Sequence, residues 1–222
     1  MNGLEPAALA KLATWLSPGY PVGAFAYSHG LEWAIASGQV TDAAGTGAWM
    51  ADCIARGSGR NDAILLAHAW AAAADPGGDP AALAGLAELA EALAPAQERL
   101  AETSGIGAAF AAVTGDAWGG SAAPLPYPVA VGVAAAEHGI PRGPAVLLFL
   151  QAMAASLVSA AVRLVPLGQT EGQRILAALL PEIGAVAAAA ETASLDELGG
   201  CAFLSDIAAM RHETQEVRLF RT

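Results

Sequence analysis

The sequence predicts an all-α protein: a single compact bundle of about ten helices over residues 1–212, with a partly flexible C-terminal tail over 213–222. Three observations predict it. No stretch alternates apolar and polar residues with the period of two that a half-buried strand requires. Ala and Leu, strong helix formers, dominate nearly every run. Gly and Pro fall between those runs as punctuation. Of the 222 residues, 55% are hydrophobic and 14% charged, so there is ample chain for a core and disorder is not expected. No internal repeat of fixed period is present.

A first helix is predicted over residues 6–16, with Leu9, Leu12 and Leu16 on one stripe. Ser17-Pro-Gly-Tyr-Pro-Val-Gly23 breaks it, since two prolines and two glycines restrict or free the backbone in turn. A second helix is expected over 24–37, stopped at Gly38 by a left-handed cap. Thr41 reads as the N-cap of a third, with Asp42 beside the positive end of its dipole. That helix carries Trp49, Cys53 and Ile54 to the break at 56–59, and a fourth runs from there to Ala74. Residues 75–80 are the clearest turn. Leu83, Leu86, Leu89 and Leu93 then follow at helical spacing, Pro95 interrupts, and a helix restarts over 97–118. Residues 119–128 read as a loop and the nearest thing to a boundary between halves. A short helix over 129–138, a long apolar one within 141–165 and one over 171–180 come next, with Pro181 starting or kinking its successor. Ser194 and Glu197 fit a capping box, and a last helix reaches about His212.

Net charge is −11, with only ten Lys and Arg residues. A surface able to neutralise many phosphates is hard to build from these, so nucleic acid is not an expected partner. Cys53 and Cys201 are too few and too separated for a disulfide framework and read as two reduced, buried thiols in a cytosolic protein. Glu5 and Lys11 interrupt the N-terminal stretch, so no signal peptide is expected. Residues 145–162 carry no charge and reach the lower limit for a membrane span, but Gln151, Ser156 and Ser159 dilute them. A buried central helix, and no membrane association, is expected.

Little of this sequence suggests catalysis. Lys11 is the only lysine, so no Gly-Lys-Ser/Thr of a P-loop exists. The histidines 29, 68, 138 and 212 form no pair at helical spacing. His29 and Glu32 could supply two metal ligands but read better as a hydrogen-bonded pair supporting the loop before them. Ala26-Tyr-Ser-His-Gly30 approximates the nucleophile elbow of serine hydrolases, making Ser28 the alternative function. That elbow needs a strand ahead of it, and Ser28 is expected inside a helix. Gln169 and Gln173, in the polar stretch 163–174, are read either as partners for backbone groups freed by Pro166 and Gly168 or as a binding edge. The end, Met210-Arg-His-Glu-Thr-Gln-Glu-Val-Arg-Leu-Phe-Arg-Thr222, holds three of the ten basic residues beside Leu219 and Phe220. A basic, apolar terminus on an acidic body suggests a segment that docks, either on its own body or on a partner.

Three stretches carry a resemblance. WLSPGYPVGAFAYSHGLEWAIASGQV, AAVRLVPLGQTEGQRIL and MRHETQEVRLFRT resemble, in order, signatures of the urease accessory protein F (UreF) family. Glu98-Arg99-x-x-Glu102 is similar to the family's helical Arg and Glu. Glu216, where the family commonly has an aromatic, and Thr222, where it has Ser, depart from the pattern and are expected to weaken particular tail contacts. The resemblance implies a cytoplasmic, non-catalytic chaperone that forms a homodimer. It would bridge the accessory scaffold protein (D or H) and the GTPase (G), supporting GTP-dependent nickel insertion into apo-urease. It implies no tightly bound cofactor, the nickel being handled by the complex. The tail residues Arg211, His212, Arg218, Leu219, Phe220 and Arg221 would then contact the scaffold protein, with Tyr20 and Tyr27 exposed at a further interface.

Overall fold

The computed structural model describes residues 5–75 and 77–222, among which there are helices and no strand. Pro76, in the turn expected over 75–80, lies outside the described residues. Ten α-helices follow in order: α1 (Pro6–Trp15), α2 (Leu31–Ala36), α3 (Ala43–Ala55), α4 (Ser58–Ala74), α5 (Pro80–Ala92), α6 (Gln97–Trp118), α7 (Tyr127–Glu137), α8 (Arg142–Leu164), α9 (Gln169–Ala190) and α10 (Phe203–His212). The all-α reading holds.

Local chemistry explains most boundaries. Pro6 and Pro80 lie in the first turns of α1 and α5, where a missing N–H costs nothing. Asp42 rather than Thr41 caps α3, accepting from the Gly45 N–H at 2.8 Å. Asp79 caps α5 through the Ala82 N–H at 2.9 Å. The Ser194–Glu197 capping box is present, around a single 3₁₀ turn (Leu195–Glu197). Pro181 stands inside a continuous α9, on its exposed side, where water can satisfy the carbonyl it frees.

The expected helix over 24–37 is divided. Ala24–Ala26 form a 3₁₀ turn, residues 27–30 leave helical geometry, and α2 begins only at Leu31. His29 and Gly30 both have positive φ, 53° and 75°. At Gly30 this conformation is combined with close approach, since a Cβ there would lie 2.5 Å from the Ala209 backbone N of α10. The break is therefore imposed by α10 packing across it.

The core sits between α4, α7 and α8. Residues 119–126 are no boundary between halves, because α7 packs on both α4 and α6. Gly132 lets the α4 and α7 backbones close, as a Cβ there would come within 2.5 Å of the Leu66 carbonyl oxygen. From Pro128 to Ala135 every residue of α7 is buried, so this short helix occupies the centre. The longer α8, expected to be the buried central helix, buries one face through Ala145, Phe149, Leu150 and Leu157 and leaves Leu147 exposed. Both α8 and α9 are long and apolar enough to cross a membrane by length and composition, and half of the most apolar window of α8 is buried within the bundle. Edge-on aromatic contacts bind the layers: Trp15 to Phe110 at 6.0 Å and Phe110 to Tyr127 at 5.8 Å between centroids.

Candidate functional site

Residues 213–222 have no regular secondary structure, yet they lie along the body and close a polar joint between α2 and α6. Flexibility was expected of this tail; it is instead docked. Glu213, just past α10, accepts from the Gln97 N–H at 2.7 Å and so caps the N-terminus of α6, which has no side-chain cap of its own. Glu32 of α2 accepts from the backbone N–H groups of Leu219 at 2.7 Å and Phe220 at 2.9 Å, one on each carboxylate oxygen. His212 is fully buried between Glu32 and Glu98, with Nε2 3.1 Å from the first and Nδ1 2.7 Å from the second. Arg218 pairs with the other Glu98 oxygen.

The end of the tail enters the break ahead of α2. Arg221 donates its N–H to the Ala26 carbonyl at 2.7 Å. The Thr222 carbonyl oxygen accepts from the Ser28 N–H at 3.0 Å and from the Ser28 hydroxyl. The Thr222 hydroxyl accepts from the N–H groups of Ser28 and His29 at 3.2 and 3.3 Å, and donates to Glu102 at 3.0 Å. The positive φ of His29 places these two successive N–H groups where they can share one partner. Thr222 was expected to weaken a tail contact. Within the chain its contacts use a hydroxyl and a backbone oxygen, and Thr supplies both.

Below this joint lies a second polar cluster. His29 was expected to pair with Glu32; its Nε2 instead faces Glu102 at 2.9 Å, while Glu32 serves the tail. Arg99 lies against the same Glu102 carboxylate as an ion pair. Burial would raise the Glu102 carboxyl, but Arg99 and His29 together outweigh it and hold the group at about 2. Burial, aided by Arg99, pushes His29 down, so the neutral ring is favoured. Asp62 is pushed up to about 7 by burial, with Arg99 opposing and Glu102 adding to the rise. These four side chains line one end of a cavity of about 120 Å³, whose other walls include Trp15, Tyr20, Tyr127 and Phe149. Among the described residues no group of three or more His, Cys, Asp and Glu could hold a metal ion.

The residues singled out from sequence divide sharply. Arg211, in the last turn of α10, and Arg218, Leu219 and Arg221 on the docked tail are exposed, Leu219 at 76% of its surface. His212 and Phe220 are buried in the chain itself, with Arg163 stacked over the Phe220 ring at 5.3 Å. Tyr20 does not face an interface as expected. It is buried beside Phe110 and its hydroxyl bonds to Thr114 at 2.9 Å, whereas neighbouring Phe25 is 65% exposed. Tyr27 is partly buried. Ser28 is outside any helix and fully buried, with its hydroxyl engaged by Thr222 and by the Glu32 N–H. No strand precedes it among the described residues, so the nucleophile-elbow geometry is missing. Glu32 and Glu98 as tail anchors were not foreseen. A buried Glu three residues after a His, with a second Glu on a distant helix, gives no sign in sequence of which backbone amides it will receive.

The UreF family model matches residues 40–180, leaving the tail and its receiving loop outside the matched segment. The chain is 59% identical over 216 residues to a urease accessory protein UreF of Cereibacter sphaeroides, spanning 97% of this chain and 99% of the relative. It is 46% identical over 225 residues to one of Rhodopseudomonas palustris (97% and 94% covered) and 50% identical over 220 residues to one of a Methylobacterium species (95% and 87%). A family model matched over more than half the chain, and relatives this similar along nearly all of it, make the chain a member of the UreF urease accessory protein family.

Proposed function

We propose that this chain acts in urease maturation as a non-catalytic chaperone of the cytoplasm. It bridges the accessory scaffold protein (D or H) and the nickel-carrying GTPase (G), supports GTP-dependent nickel insertion into apo-urease, and works as a homodimer. Nickel is cargo of the complex and is not held tightly by this chain alone. Membership of the family supports the urease assignment, and the engaged Ser28 hydroxyl speaks against the hydrolase alternative.

The observation that carries the docking role is the tail. It is fixed on an acidic body by buried contacts while turning outward Arg218, Leu219 and Arg221, which with Arg211 at the end of α10 supply basic and apolar exposed surface. A pre-shaped surface loses less entropy on binding than a free terminus would. Contact with the scaffold protein is assigned to these four, and His212 and Phe220 contribute by shaping the tail. Tyr27 and exposed Phe25 remain the part of the loop suited to a further contact.

Deleting residues 213–222 should abolish co-purification with the scaffold protein while the helical circular dichroism persists. Leu219→Asp, a change at an exposed position, should weaken the complex at least tenfold without altering the fold. Undiminished complex formation by both variants would refute the tail assignment.

A further inference from the structure

The tail could have been held by apolar burial alone, since Phe220 fills a pocket under Arg163. It is held instead by a closed polar circuit that no sequence motif announces. We propose that Glu32 and His212 are the positioning residues of the tail, acting as a carboxylate–imidazole clasp that sets the path of residues 217–222. The clasp determines which tail side chains face outward. This deepens the docking role and rests on it for its functional consequence, though the positioning itself is a property of the isolated chain.

The chemistry follows from donors and acceptors. An ionised carboxylate can only accept hydrogen bonds, and an imidazole nitrogen facing one must carry a proton to make a bond. His212 presents each ring nitrogen to a different carboxylate, Glu32 on α2 and Glu98 on α6. Arg218 takes the remaining Glu98 oxygen, so all four carboxylate oxygens of the joint have a partner. Each Glu32 oxygen also takes one tail amide, Leu219 on Oε1 and Phe220 on Oε2. Two successive amides converge on one carboxylate only because the chain bends at residues 219 and 220, so holding both fixes the rotation of the backbone there. The result is on the surface: Val217 and Leu219 are exposed at 82% and 76%, while Phe220 is 5% exposed. Neither Glu32 nor His212 has exposed surface enough to meet a partner. They act through the tail.

The test compares Glu32→Gln, Glu32→Asp and His212→Gln in the full-length chain. Glu32→Gln keeps the shape but turns one acceptor oxygen into a donor, so one tail amide loses its partner. Amide hydrogen exchange should accelerate at least tenfold at residues 219 and 220 in Glu32→Gln and His212→Gln, with the α7 amides unchanged. Partial restoration by Glu32→Asp, which keeps the charge, is expected. Unchanged exchange at 219 and 220 in both neutral variants would overturn the clasp. So would acceleration spread equally over α7, which would mark a general loss of stability. Scaffold binding is read on the same samples and should fall at least tenfold. Local acceleration with full scaffold binding would uphold the clasp and sink the docking role of the tail.

Discussion

Between α4 and α7 two backbones touch through small residues, with Gly132 against Leu66 and Ala69, and no polar side chain is needed. Between the tail, α2 and α6 the opposite holds: Glu32, Glu98 and Glu102 meet His212, Arg218, Arg99 and the amides of residues 219 and 220. Glu32, Glu102 and His212 are buried as the α4–α7 seam is, by different means. Small-residue packing works wherever two surfaces are flat, and it tolerates many sequences of that size. A buried polar joint requires every donor to meet its acceptor and fails when one is lost. The first region makes the bundle, and the second specifies how one irregular segment lies upon it.

Breaking the buried ion pair in the cluster below the polar joint should have the largest effect. Glu102→Gln leaves Arg99 without its counter-charge and should cost about 3 to 5 kcal/mol in urea denaturation at pH 7. The pH dependence has a definite sign. With the folded carboxyl at about 2 against an ordinary 4.5, its contribution is complete above pH 4.5 and is lost as pH falls toward 2, so parent and variant should converge there. A constant difference from pH 7 to pH 3 would remove the charge from the explanation.

The apolar seam is tested by Gly132→Val. Its Cβ would meet the Leu66 oxygen and the Ala69 Cβ at 2.5 and 2.9 Å, so the helices must separate, at a cost of about 3 kcal/mol read as a lowered urea midpoint. Wild-type stability in this variant would show that the seam is looser than its contacts imply.

The smallest effect sharpens the contrast. Asp62 is pushed up to about 7 from an ordinary 3.8, chiefly by burial, so its charged form is the costly one. Its contribution is favourable below pH 3.8 and is lost as pH rises through 7. Asp62→Asn should therefore be more stable than the parent by about 1 kcal/mol at pH 8 and equal to it near pH 4, measured as melting temperature. Lower stability of the variant at pH 8 would mean that Asp62 is ionised and usefully paired with Arg99.

Much of the bundle was legible because its signals are local. The bounds of α6 follow from Pro95 and Gly119, and the start of α5 from Asp79-Pro80, where Asp79 caps its own helix. The site was legible only as a list of residues. The tail could be named from its composition, but His212 and Phe220 look in sequence like partner contacts and prove to be internal ones. The partners of His29 and Glu32 were misassigned for the same reason: they stand three apart on the chain, and their true partners lie 73 and 180 residues away.

The opening stretch from Trp15 to Trp33 shows where the line falls. Its glycines and prolines by themselves determine that the first helix ends and that the chain turns, because backbone angles are restricted residue by residue. They do not determine that α2 waits until Leu31, or that Ser28 and His29 turn their amides toward Thr222. Those outcomes depend on α10 pressing against Gly30 and on the tail arriving at Glu32. Helix content is a sum of local preferences, whereas the pairing of a buried charge depends on which distant segment reaches it, and only the folded chain decides that.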